Sequence, residues 1–496
     1  MSTNTELFDL IKSFTKSEKR YFKLYCSLQK GSKLYLNLFH EIEKQKTYNQ
    51  TKLPGLFNNN KGMLAFNKNY LKKIIFRSLE AYHSVKSIDA VIQNMILRCK
   101  ILFNKALYAQ YFASIKKTKK YALKYERFGY YLEALEMEKM FINKQEIKSG
   151  EEDMLCDEAA GIIEQLSNSY EYSRIIRSLF VFFRSAGTSR IAGHEETLKS
   201  IVSSSLMSEV KMAKSGKAKM TYYRIWEVIN KIKAEHGSVI ECSEKMLNII
   251  NNNPYPFEDF IVDFRMDAVF SIISSCIKSG RLERAEDEIK KIKKRKLSSP
   301  AEKSDIGLSI EYYQFEIHLK KYDIKKISAS IPRLESLLEL YKNKIESDQE
   351  LMIHFKLICG YIIKEDFQGA LAKANFLLRH QLLVTRKDIE SFTRILTLII
   401  HYELKNYSLL PYLIRSTFRF LVRSEKLFKF ESLVISFLRK QPLVTNKDEL
   451  NFSFVTLHKE MRKLTQDNFE RNAFEYFDFV KWIQKKLTKN HFTADK

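Results

Sequence analysis

Leu378-Arg379-His380-Gln381-Leu382-Leu383-Val384-Thr385-Arg386-Lys387-Asp388 returns 60 residues later as Leu438-Arg439-Lys440-Gln441-Pro442-Leu443-Val444-Thr445-Asn446-Lys447-Asp448, identical at eight of eleven positions. Read as a joint between helices, such a duplication marks a stacked helical array. One helical hairpin cannot bury its apolar face alone and needs a neighbour of the same make. Between the two copies the apolar spacing predicts three helices, over about 388–404, 409–422 and 426–439. Pro411 falls in the first turn of the middle one, where a missing N–H costs nothing.

Upstream, a repeat can be counted. Val239, Leu282, Tyr322, Phe367 and Tyr407 each follow a short turn, at spacings of 43, 40, 45 and 40. Seven residues after each stands Met246, Ile289, Ala329, Ala374 or Ile414. Three residues after the first, second and fourth stand the small Cys242, Ala285 and Ala370, which permit close helix approach, whereas Lys325 and Leu410 depart from that pattern. The expectation is that Trp226, Val239, Leu282, Phe367 and Tyr407 are buried between helices.

This pattern resembles the tetratricopeptide repeat, in which a large residue after the turn and a small one three later lock the second helix on the first. The best match runs through Trp226, Ile229, Gly237, Val239, Cys242, Met246 and Pro254. The mean spacing of 42 residues exceeds the family's roughly 34, so the helices are longer or the unit is only tetratricopeptide-like. The stretch from Asn406 to Leu421 (Asn406-Tyr407-Ser408-Leu409-Leu410-Pro411-Tyr412-Leu413-Ile414-Arg415-Ser416-Thr417-Phe418-Arg419-Phe420-Leu421) and the opening Ser17-Glu18-Lys19-Arg20-Tyr21-Phe22-Lys23 resemble elements of an uncharacterised bacterial family of helical-repeat proteins. That resemblance implies a fold and carries no activity.

Composition agrees with an all-α chain. Among 496 residues there are 14 glycines and 7 prolines, far below the usual shares of about 7% and 5%. Few turns suit long helices on short connectors. The six cysteines are scattered with no close pair, which disfavours a disulfide framework or a zinc knuckle. Glu6 and Asp9 interrupt the start where a signal peptide needs an apolar run. No apolar run approaches the roughly 18 residues of a membrane helix. A cytoplasmic protein without membrane insertion is expected.

The formal charge is +25 and uneven: residues 1–100 hold 18 Lys/Arg against 7 Asp/Glu, residues 101–200 hold 15 against 14. Three parts are expected: a basic helical head over 1–90, an irregular helical segment over 91–207, and the repeat array over 219–487. Residues 208–219, rich in lysine, read as an exposed linker. In the head, Thr15-Lys16-Ser17-Glu18 is a capping box. A helix over about 64–83 carries Leu71, Ile74, Ile75, Leu79 and Tyr82 as its apolar stripe. Lys68, Lys72, Lys73 and Arg77 lie mostly off that stripe. They are either contacts for an anion or nucleic acid or the solvated face of a capping layer. The acidic run Glu151, Glu152, Asp153, Asp157 and Glu158 reads as a helix start, where carboxylates meet the positive end of the dipole. Lys290, Lys291, Lys293, Lys294, Arg295 and Lys296 suit a helix end for the converse reason.

Motifs for chemistry are missing. Gly216-Lys217 has Lys211 where a phosphate loop needs its first glycine, and Ala218 where it needs Ser or Thr. His194-Glu195 lacks the second histidine of a zinc helix, Leu198 standing there. No catalytic residue, cofactor or metal ligand is assigned. The reading is a non-catalytic helical-repeat scaffold for a protein or peptide partner, with a nucleic-acid- or ribosome-associated protein as the alternative.

Overall fold

The structure, a computed structural model, describes residues 5–29, 33–49, 51, 53–57, 60–85, 87–142, 151–186, 195–295, 300–342, 345–381, 383, 386–441, 446–467 and 469–492. Of the duplicated joint, residues 382, 384, 385 and 442–445 lie outside these, as do His194 and Lys296. The regular elements are helices, with no strand among the described residues and no helix long and apolar enough to cross a membrane. In chain order they are α1 (Glu6–Ser13), α2 (Lys16–Ser27), α3 (Leu34–Lys44), α4 (Lys61–His83), α5 (Ile88–Asn104), α6 (Tyr108–Lys124), α7 (Phe128–Ile142) and α8 (Glu151–Ala186). There follow α9 (Glu195–Val202), α10 (Gly216–Ile232), α11 (His236–Asn252), α12 (Ile261–Lys278), α13 (Leu282–Lys293), α14 (Pro300–Lys321) and α15 (Ile324–Leu340). The last are α16 (Ser347–Ile363), α17 (Phe367–Leu378), α18 (Lys387–Glu403), α19 (Leu410–Arg423), α20 (Lys429–Lys440), α21 (Lys447–Gln466) and α22 (Phe479–Phe492). Two compact units divide the chain, residues 1–164 and 165–496.

In the first unit, α1 to α4 close around Phe22, Phe39, Ile42, Leu71 and Ile75, all buried. The capping box forms as its residues require: the Thr15 hydroxyl accepts from the Glu18 N–H at 3.2 Å, and the Glu18 carboxylate accepts from the Thr15 N–H at 2.7 Å. Next, α5, α6 and α7 pack in sequence around Cys99, Tyr111, Ile115 and Phe141.

In the second unit the helices pair: α10 with α11, α12 with α13, α14 with α15, α16 with α17, α18 with α19. The first member of each later pair also packs on the next: α12 on α14, α14 on α16, α16 on α18, α18 on α20. One backbone device sets the pairing. Ala234, Gly280, Tyr322, Glu365, Lys405 and Glu425 have positive φ, as do Ala106 and Glu126 in the first unit. The next residue's N–H reaches back to the carbonyl five positions earlier, as in Glu235 to Asn230 at 2.9 Å, Arg281 to Cys276 at 2.8 Å and Asp366 to Tyr361 at 3.0 Å. This is the Schellman closure of a helix C-terminus.

The next helix starts two residues after the turn residue at His236, Leu282, Ile324 and Phe367. Three positions on come Val239, Ala285, Ile327 and Ala370, each fully buried. This register corrects the one read from the sequence. Tyr322 is the turn residue itself, so the locking place falls on Ile327, which accounts for the departure at Lys325. Of the five residues expected to be buried, Val239 is; Trp226, Leu282 and Phe367 are half-buried, and Tyr407 is 40% exposed. The residue beside the turn sits at the hairpin edge, and the locking position lies one helical turn inside.

An unequal pair of effects follows. Ala370→Trp should destabilise by about 1–3 kcal/mol through overpacking. Phe367→Ala should cost less than the roughly 3–5 kcal/mol of a fully buried ring. Thermal melts of the two variants check this order.

Residues 208–219 are packed through the main chain while Lys211, Lys214 and Lys219 stay exposed. Asn168 on α8 donates to the Met212 carbonyl at 3.1 Å and accepts from the Lys214 N–H at 2.9 Å. Ser215 caps α10 by accepting from the Ala218 N–H.

Candidate functional site

Helices α10, α12, α14 and α16, the first members of successive pairs, line a groove in the second unit, with Arg386 just before α18. Its open section has a volume of about 870 Å³ and is lined from α10, α12 and α14, from residues 258–260 and from residues 345–349. Glu258, Asp259, Asp263, Asp267, Asp305 and Glu346 stand there against Arg224 and Lys231. In a chain of +25 this is a locally acidic surface. Phe260, Met266, Phe270 and Tyr313 supply its apolar part.

Behind this lining sits a buried ionic cluster. Glu227, with no exposed surface, is held by Arg224 Nη1 at 2.8 Å and Lys231 Nζ at 2.8 Å, and it accepts the Ser271 hydroxyl. Burial pulls its carboxyl upward, but Lys231 and Arg224 outweigh that and hold it at about 2. Asp267, exposed at the edge of the groove, lies 3.7 Å from Arg224 Nη2.

The groove continues into a section of about 370 Å³ sharing Ser274, Tyr313, Glu346 and Gln349 with the first. Here the chain's own Glu475 and Tyr476 line it, and residues 475–478 are held by the neighbouring helices and turn. Lys356 Nζ donates to the Glu475 carbonyl at 3.4 Å, Cys359 Sγ to the Tyr476 carbonyl at 3.7 Å, and the Tyr322 hydroxyl to the Asp478 carbonyl at 3.3 Å. Side chains then fix the segment. Tyr476 donates to Asp388 at 2.7 Å, itself held by Arg386 through two bonds of 2.9 and 2.8 Å, and its ring stacks on Phe392 at 4.0 Å. Burial pushes the Cys359 thiol up to about 12, which leaves it a neutral donor.

Glu475 pairs with Lys278 at 2.7 Å and His236 at 3.0 Å. Burial raises its carboxyl, and the Lys278 ammonium together with the hydrogen bonds from His236 and Lys278 overcomes this and brings it to about 2, from an ordinary value of 4.5. A depressed carboxylate adds stability that is complete above the unfolded value and is lost as pH falls through the folded one. Glu475→Gln should therefore lower the urea midpoint at pH 7, with the gap to the parent closing between about pH 4.5 and 2. A gap independent of pH would remove the ionic role of Glu475.

The sequence-read residues lie elsewhere, in the first unit. Lys68, Lys72, Lys73 and Arg77 share α4. Lys68 donates to the Tyr48 hydroxyl at 3.1 Å, and Lys72 pairs with Glu6 at 2.9 Å. Lys73 and Arg77 are exposed. They continue a stripe through Met63, Phe66 and Tyr70, whose last two rings stack at 6.3 Å, Phe66 being 68% exposed. In the second unit Lys290 and Lys291 pair with Asp287 and Glu288 on their own helix, at 2.9 and 2.7 Å. Among the described residues no group of three or more His, Cys, Asp or Glu side chains is placed to hold a metal ion.

The acidic groove was missed at the sequence level, although a signal exists. Asp263 and Asp267 stand four residues apart on one face of α12, and Asp259 precedes that helix at the same interval. Comparison with protein-family models, curated proteins and solved structures returns no match.

Proposed function

We propose that the chain is a non-catalytic scaffold whose paired helices form a tetratricopeptide-like α-solenoid, and that the groove along the first helices of those pairs binds a protein or peptide partner. The observation that carries this reading is the seating of residues 475–478. Lys356 and Cys359 from α16 and Tyr322 from the turn after α14 donate to the backbone carbonyls of Glu475, Tyr476 and Asp478. Main-chain capture with side-chain pockets alongside is how grooves receive extended peptides. The open acidic section shares lining residues with that part of the groove and offers the same mode to another chain.

The test uses a photo-crosslinking phenylalanine in the native cell, placed at Phe260 in the groove, at Leu340, which does not line it, and at Phe66 on α4. Protein adducts from position 260 that are absent at 340 and insensitive to nuclease support the scaffold. Equal adducts at 260 and 340, or none at 260, overturn it.

The alternative, a nucleic-acid- or ribosome-associated protein, is favoured by exposed Lys73 and Arg77 beside the stacked Phe66 and Tyr70, since bases stack on such rings. Replacing Lys68, Lys72, Lys73 and Arg77 with Gln should then weaken binding of RNA or DNA. Each lost phosphate contact should lower the slope of log K against log salt by about 0.7 for single strands. Nuclease-sensitive adducts from position 66 point the same way.

A further inference from the structure

The open groove section combines two features. Its rim is carboxylate: Glu258, Asp263 and Asp267 are exposed there, while the two lining cations are both held at 2.8 Å by Glu227, which is not part of the lining. Its floor carries an aromatic platform. Phe270 from α12 and Tyr313 from α14 stack with centroids 5.5 Å apart and planes 23° from parallel, both partly exposed. A flat ring face beside carboxylates suits a guanidinium, which is planar, permanently charged and weakly hydrated, better than an ammonium. The surface repels polyanions, and the section shares Ser274, Tyr313, Glu346 and Gln349 with the part lined by Glu475 and Tyr476.

We propose that this section docks an arginine-bearing basic segment of a partner protein, its guanidinium over Phe270 and Tyr313 and its charge shared by Asp263 and Asp267. The inference rests on the scaffold reading and names the chemistry of its partner. Neighbouring arginines of such a segment reach Glu258 at the rim. Binding is salt-dependent because exposed carboxylates carry the attraction.

Short fluorescein-labelled peptides and the full-length protein test it by anisotropy at several salt concentrations. Four peptides differ only in carrying Arg, Lys, citrulline or Glu at the same places. The Arg peptide should bind, more tightly than the Lys peptide by about threefold to tenfold, with the citrulline and Glu peptides weakest. Asp263→Asn with Asp267→Asn should weaken the Arg peptide by about tenfold and flatten its salt dependence. Phe270→Leu should erase the preference for Arg over Lys. Glu449→Gln, an exposed acid outside the groove, should behave as the parent. Both aspartates are exposed, so the double variant should melt like the parent and carries the test even if Phe270→Leu is destabilised.

Equal binding of Arg and citrulline peptides, or no effect of the double variant, overturns the proposal. So does self-association of the chain that the double variant abolishes, since the occupant is then a second copy. Groove adducts at position 260 without any binding of the Arg peptide sink this inference alone. Silence in both experiments sinks the scaffold with it.

Discussion

Glu227→Ala should lower the stability of the protein by about 3–5 kcal/mol, because it strands Lys231 and leaves Arg224 with only Asp267 at 3.7 Å as counter-charge. Glu227 is fully buried and takes both cations at 2.8 Å along with the Ser271 hydroxyl. Removing only the smallest partner, by Ser271→Ala, should cost about 1 kcal/mol, the usual net worth of one hydrogen bond. Replacing Glu227, Arg224 and Lys231 together with apolar residues of similar size should recover much of the loss, since the expense lies in uncompensated charge. Urea unfolding of the three variants checks the ordering. If Glu227→Ala unfolds at the parent's midpoint, the cluster contributes nothing and both cations find other partners.

Phe479→Ala should cost a comparable amount, about 3–5 kcal/mol, as deletion of a buried ring. Phe479 is 1% exposed and meets Phe430 at 4.7 Å and Phe477 at 5.0 Å. Trp482, one turn further along α22, donates its indole N–H to Glu403 at 2.8 Å. In a Trp226→Phe background, where Trp482 is the one tryptophan left, its fluorescence reports on this region alone. The expected result is a lowered urea midpoint with the emission change and the loss of helical circular dichroism still coincident. Emission that shifts at lower urea than the helix signal would mean that α22 detaches by itself.

Much of the helical layout was legible because periodicity and caps are local. The capping box at Thr15 and Glu18 forms as read, and the helix expected over 64–83 spans Lys61–His83. The three helices expected over 388–439 appear as α18, α19 and α20, each displaced by three residues or fewer. The joints were harder to read. Seven of the eight positive-φ residues among those described are not glycine: Ala106, Glu126, Ala234, Tyr322, Glu365, Lys405 and Glu425. A left-handed residue with a side chain costs about 1–2 kcal/mol, a penalty the surrounding hydrogen bonds offset. Only at Gly280 does the residue type announce the conformation. This is why Tyr322, aromatic and suitably spaced, was assigned to the wrong side of its turn.

The groove was less legible still. Its carboxylates come from three separate stretches, around 258–267, at 305 and at 346, and only the first shows a period. The four cations read from the head were visible because they share one helix. The groove's partners are brought together by packing between helices tens of residues apart.

The return of residues 470–486 to earlier helices bears on how the second unit comes apart. Stacked hairpins that touch only their neighbours melt piecemeal, each joint adding its own small interface to a one-dimensional sum. Here Arg471 reaches the Lys233 carbonyl, Glu475 reaches His236 and Lys278, Tyr476 reaches Asp388, and Lys486 reaches Glu403. One short stretch is thus bonded to α11, α12 and α18 together, so no intervening pair can open without straining the rest. The hairpins can nucleate separately and quickly from their local contacts. Their lock is the final stretch, whose docking joins elements that would otherwise touch only their neighbours.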